Sequence, residues 1–262
     1  MTLDKEFYRI IENVARKAKH TSSKQQVFKD VIQIGFNSVI QGMKYHPYQA
    51  KWHPSLFVEM APYKVQPELF NELGRAVVMW FSAIKDSAPF TDVLGSSYDE
   101  HLGHELGQFL TPPDLAALLA QLIFTDDNLE SKFKAGEAIT VGDDMGCGAG
   151  SLLLAWLKAS SERFGPAALE RVFVVARDMD PSMVQLTAVQ IFHSAVFHNV
   201  ALGGLQVQWG NALLEPSSQA GYQAVFDPDM VEIAVATLRA HHHRRGQQKA
   251  MDAIGKRLAV GV

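Results

Sequence analysis

The chain is poor in residues that cross-link and in runs that anchor. Cys147 is the single cysteine in 262 residues. That excludes an internal disulfide framework and fits a reducing cytoplasm. No stretch approaches the ~20 consecutive apolar residues a membrane span requires, so no membrane association is expected. The opening MTLDKEFYRI carries acids early and lacks the apolar core of a secretory signal. Nothing repeats at a fixed period. Strong charge of either sign is missing too: the net charge is -4, which does not advertise a nucleic-acid binder.

The charge is unevenly spread, however. Residues 1–95 carry 12 Lys/Arg against 9 Asp/Glu, and the tail from Arg239 carries six Lys/Arg against one acid. That tail includes His241-His242-His243-Arg244-Arg245, for which a solvated helix end and a DNA contact are both open readings. No second group of ligands accompanies the histidines, so no metal site is expected. With 47% hydrophobic and 20% charged residues, the chain suffices for one large domain or for a domain plus an accessory unit.

Two patterns divide it. Phe7, Ile10, Ile11 and Val14 recur on one helical face. Val27, Val31, Ile32 and Ile34 continue that style, and Leu69 to Ile84 reads as another helix. Pro47, Pro54, Pro62 and Pro67 break the middle into loops. Residues 1–95 are therefore expected to form an all-α N-terminal domain, with no catalytic constellation. In GQFLTPPDLAALLAQLIF, Thr111 suits an N-cap, Pro112 the first helical position and Asp114 the first turn. Leu115, Leu118, Leu119 and Leu122 are expected to line its buried face. Strands and helices then alternate. Strands are expected at Ala138–Val141, Val172–Ala176, Leu205–Trp209 and Tyr222–Phe226, with helices at Ser151–Ser160 and Pro181–His198. This implies βαβ units and a parallel sheet flanked by helices, with ligands at the strands' carboxyl ends. The expected boundaries are 1–95 for the helical domain, 96–238 for the α/β core and 239–262 for the basic tail.

Chemistry concentrates in DDMGCGAG. Asp144 ends a strand, and Gly146, Gly148 and Gly150 turn the chain into a helix. Glycines admit close approach of a ligand to the backbone, and a helix N-terminus favours an anion. Close strand–helix packing accounts for such a turn equally well. The next strand ends ARDMDP, where Asp178 or Asp180 suits a ribose diol. The third ends QWGN, where the Asn211 amide suits an adenine edge. Each polar residue taken singly has a second reading as a loop cap. Together, at successive strand ends, they outline an adenosine-shaped site.

GQFLTPP, DDMGCGAG, ARDMDP and GNALLEP, in this order, resemble adenine-N6 DNA methyltransferases in which motif X comes first. The likeness is nearest to modification subunits of type I restriction–modification systems and covers residues ~95 to 230. It implies a Rossmann-like S-adenosylmethionine-dependent core, with S-adenosyl-L-methionine as cofactor and DNA reached through a partner or specificity subunit. Hetero- and homo-oligomers are both compatible with it. Gly107 to Pro112, with Phe109, Thr111 and Pro112, would face the cofactor's methionine end. Asp144 to Gly150 would form the glycine motif, Asp178 beside Asp180 would hold the ribose, and Asn211 stands where the family usually has Asp.

In that family the fourth strand ends in N-P-P-F/Y or D-P-P-Y, which receives the target amine and stacks the extruded base. Here YQAVFDPDMVEI supplies Asp227 and Pro228, but Asp229 replaces the second proline and Met230 the aromatic. Asp227, Pro228 and Met230 are the catalytic candidates. The resemblance also implies a core truncated after this altered motif, since 32 residues follow Met230. The resemblance implies methyl transfer to adenine N6 in DNA, or a catalytically inactive cofactor-binding homologue acting in regulation or against restriction; the residues by themselves also leave open an unrelated nucleotide-binding α/β protein.

Overall fold

Strand β3, Val172–Asp178, is the middle of the part of the fold that matters here. Its first six residues, VFVVAR, are buried. Such an unalternating run is what a strand covered on both faces requires. The computed structural model describes residues 3, 5–43, 49–52, 54–95, 111–123, 127–143, 146–211 and 220–225. Parallel neighbours flank β3. Strand β2, Ile139–Asp143, sets Asp143 beside Ala176, and β4, Gly204–Trp209, sets Trp209 beside Asp178.

The segments between these strands are helical, as the alternation read from the sequence predicts. Helix α5, Asp127–Ala135, precedes β2, helix α6, Ser151–Phe164, follows it, and helix α7, Pro181–Phe197, follows β3. Asp180 caps α7 and Pro181 opens it, the arrangement expected of a Pro at the first helical position. Helix α7 lies against β3 and β4 on one side and against α2, Lys24–Met43, and α3, Pro67–Asp86, on another. Burial on so many sides explains why it shows no single apolar stripe. With α1, Lys5–Lys17, these helices contribute to one hydrophobic core cluster that runs from Leu3 to Val207.

Three expectations are corrected. The segment up to residue 95 is not wholly helical: Gln49–Trp52 forms β1, an edge strand paired with β5, Ala220–Val225. Four residues between prolines leave no periodic signal, and only the partner strand makes them β. The sheet, ordered β1-β5-β4-β3-β2, is also not all parallel, because β5 runs antiparallel to both its neighbours. Residues 210–219 alone separate β4 from β5, fewer than the dozen or so that a parallel crossover needs.

The third correction concerns α4, Pro113–Ile123. Ala116 and Ala120 are its buried residues, whereas Leu118 is 53% exposed and Leu115, Leu119 and Leu122 are exposed with it. The helix packs on α6. A face of alanines one turn apart lets two helices approach more closely than a leucine face does. PDLAALLAQLI is apolar on nearly every side, so periodicity alone does not choose the face.

Candidate functional site

The glycine turn after β2 has three positive φ angles: 120° at Gly146, 52° at Gly148 and 83° at Gly150. Side chains rarely tolerate this region, which accounts for the residue type at all three positions. The two readings of the turn then separate residue by residue. A Cβ on Gly150 would stand 3.0 Å from Thr187 of α7, so that glycine serves packing. Among the described residues a Cβ on Gly146 would meet only Asp178 Oδ2, at 3.7 Å, so that glycine leaves space beside the carboxylate.

Backbone hydrogen bonds hold the turn to the end of β3. The Cys147 N–H donates to the Arg177 carbonyl at 2.8 Å, and the Gly150 N–H to the Cys147 carbonyl at 2.8 Å. The Gly148 N–H donates to Asp178 Oδ2 at 2.9 Å, while Asp178 Oδ1 accepts from the Asp180 N–H at 2.8 Å. Burial pushes the Asp178 pKa above its ordinary value, with the N–H groups of Asp180 and Gly148 pulling the other way.

Asp180 has a different position. It is 7% exposed, its Oδ1 accepts from the Ser182 N–H at 2.8 Å, and its Oδ2 faces Lys29 Nζ at 3.3 Å. Its oxygens cap α7 and tie it to α2, and its burial leaves little surface for a ligand, whereas Asp178 is partly exposed. Asn211, half-buried, follows Gly210, whose N–H donates to the Asp178 carbonyl at 2.8 Å. Gly146, Gly148, Asp178 and Asn211 therefore gather at one edge of the sheet, the carboxyl ends of β2, β3 and β4.

Thr111 and Pro112 lie at the start of α4. The Pro112 carbonyl accepts from the Ala116 N–H at 2.9 Å, so the helix begins one residue later than expected, with Pro113 as its first residue. Pro113 shares a cleft of about 280 Å³ with Ser151, the first residue of α6. The helix starts after the expected motif X and after the glycine motif are thus brought side by side. Phe109, Asp144, Asp227, Pro228 and Met230, and His241-His242-His243 of the tail, lie outside the described residues. Among the described residues no group of three or more His, Cys, Asp or Glu is placed to hold a metal ion, and no helix is long and apolar enough to cross a membrane.

The family model of the N-6 DNA Methylase matches residues 92–243, more than half of the chain. The chain belongs to the N-6 DNA methylase family. No curated protein and no solved structure matches it.

The N-6 DNA methylase match starts at Asp92, ahead of every motif read from the sequence. Asp92 accepts from the Ser151 hydroxyl and, at 3.0 Å, from Gln190 Nε2. Asp92, Thr187 and Gln190, which sequence reading missed, bond to the glycine turn and the helix that follows it. The available signal was a set of polar residues, Thr187, Gln190 and Ser194, at helical spacing inside a largely apolar α7. Met179 and Trp209 were missed as well. Met179, next to Asp178, is 68% exposed, and the Trp209 indole N–H donates to its carbonyl at 3.0 Å. Both present apolar surface at the edge where Asp178 and Asn211 meet.

Proposed function

We propose that this N-6 DNA methylase binds S-adenosyl-L-methionine and transfers its methyl group to adenine N6 in DNA, on the plan of a type I modification subunit. The observation that carries the reading is the Asp178 carboxylate, held at the end of β3 by the amide N–H of Gly148 in the glycine turn. A carboxylate has about four acceptor positions, so lone pairs remain for a ribose diol. The space at Gly146, the N-terminus of α6 and the apolar surface of Met179 fit the rest of the nucleoside and its charged tail.

In this reading Asp178 holds the ribose, Gly146 and Gly148 admit the methionine end, and Asn211 meets the adenine edge. Phe109, Thr111, Pro112, Asp144 and Gly150 complete the wall. Asp180 is assigned to the helix cap instead. The cofactor, when bound, supplies a methyl group on a positive sulfur, a good leaving centre that needs little acid–base help. The chain's own residues therefore act by orientation. Asp227 and Pro228 are proposed to accept hydrogen bonds from the target amine, with Met230 under the base. DNA would be delivered through a partner or specificity subunit, in the cytoplasm.

The course of β5 favours a second reading, a cofactor-binding homologue without transfer activity. Ala220 pairs with Trp209, near Asp178, but Ala224 pairs with Leu205 at the other end of β4. The strand that leads to Asp227 thus ends at the sheet edge opposite Asp178. Calorimetric titration with S-adenosylmethionine, followed by transfer of tritiated methyl to mixed-sequence DNA, tests both. Transfer, by the chain alone or with a specificity subunit added, supports the enzyme; binding without transfer under both conditions supports the homologue, and no binding defeats the cofactor assignment.

A further inference from the structure

Gln190 sits in the middle of α7 and is 1% exposed. A primary amide offers two N–H donors and an oxygen with two lone pairs. Here all four are engaged. Nε2 donates to the Ala149 carbonyl at 3.0 Å and to Asp92 Oδ1 at 3.0 Å. Oε1 accepts from the N–H of Val93 at 3.0 Å and of Leu94 at 3.2 Å. One side chain thereby grips the glycine turn and the 92–94 backbone together.

Its neighbours on the same helical face extend the grip in both directions. Thr187 donates its hydroxyl to the Gly148 carbonyl at 2.9 Å. Ser194 accepts from the Phe90 N–H at 2.6 Å, and His198 Nε2 meets the Ser87 carbonyl at 2.8 Å. Asp92, held by Gln190, also accepts from the Gly95 N–H at 2.7 Å and from Ser151 at the start of α6.

We propose that Gln190 is a positioning residue for the cofactor turn. By holding the Ala149 carbonyl and Asp92 at once, it sets the shape of Gly146–Gly150 and locks it to the segment before α4. The cofactor part of this inference rests on the function proposed above. The chemistry admits no close substitute. Glu loses both donors and places a second carboxylate against Asp92. Leu leaves the partner N–H and carbonyl groups unpaired in a buried site, and Asn is one methylene too short to reach both sides.

The test compares full-length Gln190→Leu with Ile11→Ala, a buried site in α1 that is far from the turn in sequence and shares no hydrogen bond with it. Both are assayed below their melting temperatures. In the ligand-free protein the Gly148 and Gly150 amides, bonded to Asp178 and Cys147, should exchange about tenfold faster or more in Gln190→Leu than in Ile11→Ala. Affinity for S-adenosylmethionine should fall about tenfold or more in Gln190→Leu and stay near wild type in Ile11→Ala. Equal exchange at the turn in the two variants overturns the proposal. If the wild-type chain binds no S-adenosylmethionine, the functional reading fails, while the exchange comparison still decides the role of Gln190. If Gln190→Leu does not fold, Gln190→Asn takes its place with the same readouts.

Discussion

Thr187 stands 3.0 Å from the point where a side chain on Gly150 would begin, and its hydroxyl donates to the Gly148 carbonyl at 2.9 Å. The helix after β3 therefore shapes the turn after β2, two elements that the sequence separates by a whole strand. This contact divides the glycines of the turn by role. Gly150 is a packing glycine, whereas Gly146 leaves space beside Asp178.

Gly150→Ala should destabilise the fold by about 1–3 kcal/mol, combining left-handed backbone strain with the Thr187 contact. Adding Thr187→Ala should relieve the contact part, so that the double variant costs less than the sum of the singles. Thermal denaturation of the four proteins in this cycle measures the difference. Full additivity would show that strain alone selects glycine there.

Asp178 and Asp180 should behave in opposite ways. Asp178→Ala should weaken S-adenosylmethionine binding by ~1.5–3 kcal/mol, the range for hydrogen bonds to a charged group. Asp180→Ala should instead cost ~0.5–2 kcal/mol of stability, as loss of a helix cap does. Calorimetry and melting on both variants check the pair. A larger affinity loss at Asp180 would move the ribose contact there.

His193 should make the protein acid-sensitive. Both ring nitrogens are shut off from solvent and have no hydrogen-bond partner among the described residues; they sit among the rings of Phe81, Phe192 and Phe197. Burial pushes its pKa from 6.5 down to about 4. The folded state keeps the ring neutral where the unfolded chain takes up a proton. Stability is therefore complete above the unfolded pKa and is lost as pH falls through the folded one, by up to about 3 kcal/mol. Urea unfolding between pH 7.5 and about 4 measures the slope in this window. His193→Phe should flatten it, and an unchanged slope would assign the acid sensitivity to other groups.

Tested alone, without the partner subunit proposed to deliver DNA, the unmodified chain should bind cofactor yet transfer methyl to DNA barely or not at all. Asp229→Pro with Met230→Tyr restores the proline and the stacking ring, a contact worth ~1–3 kcal/mol per base. Because β5 ends opposite Asp178, this double variant alone should not rescue activity. Rescue by the two substitutions, read as tritium in DNA, would show that the motif itself was limiting. Robust transfer by the wild-type chain would show that neither departure matters.

Much of the core was legible because its signals are local. VFVVA is apolar without alternation, so it reads as a covered strand from composition alone. Asp180-Pro181 announces a helix start, because a cap and a fixed φ act within one turn. Gly146, Gly148, Asp178 and Asn211 each fall at or just after the end of a strand, and parallel strands bring their carboxyl ends to one edge. That co-location was deducible before any coordinates.

Other features depend on partners distant in the chain. Whether α4 buries its leucines or its alanines is set by how closely α6 approaches. Whether β5 runs parallel depends on the short connection behind it and on β1, a strand that has no pattern of its own. The division of labour between Asp178 and Asp180 turns on Lys29, roughly 150 residues earlier in the chain, and the role of Gln190 on backbone groups of two separate segments. Periodicity, caps and turn glycines act over a few residues and so are written in the sequence. Hydrogen-bond satisfaction of a buried side chain is a property of the packed interior, and only the tertiary structure decides it.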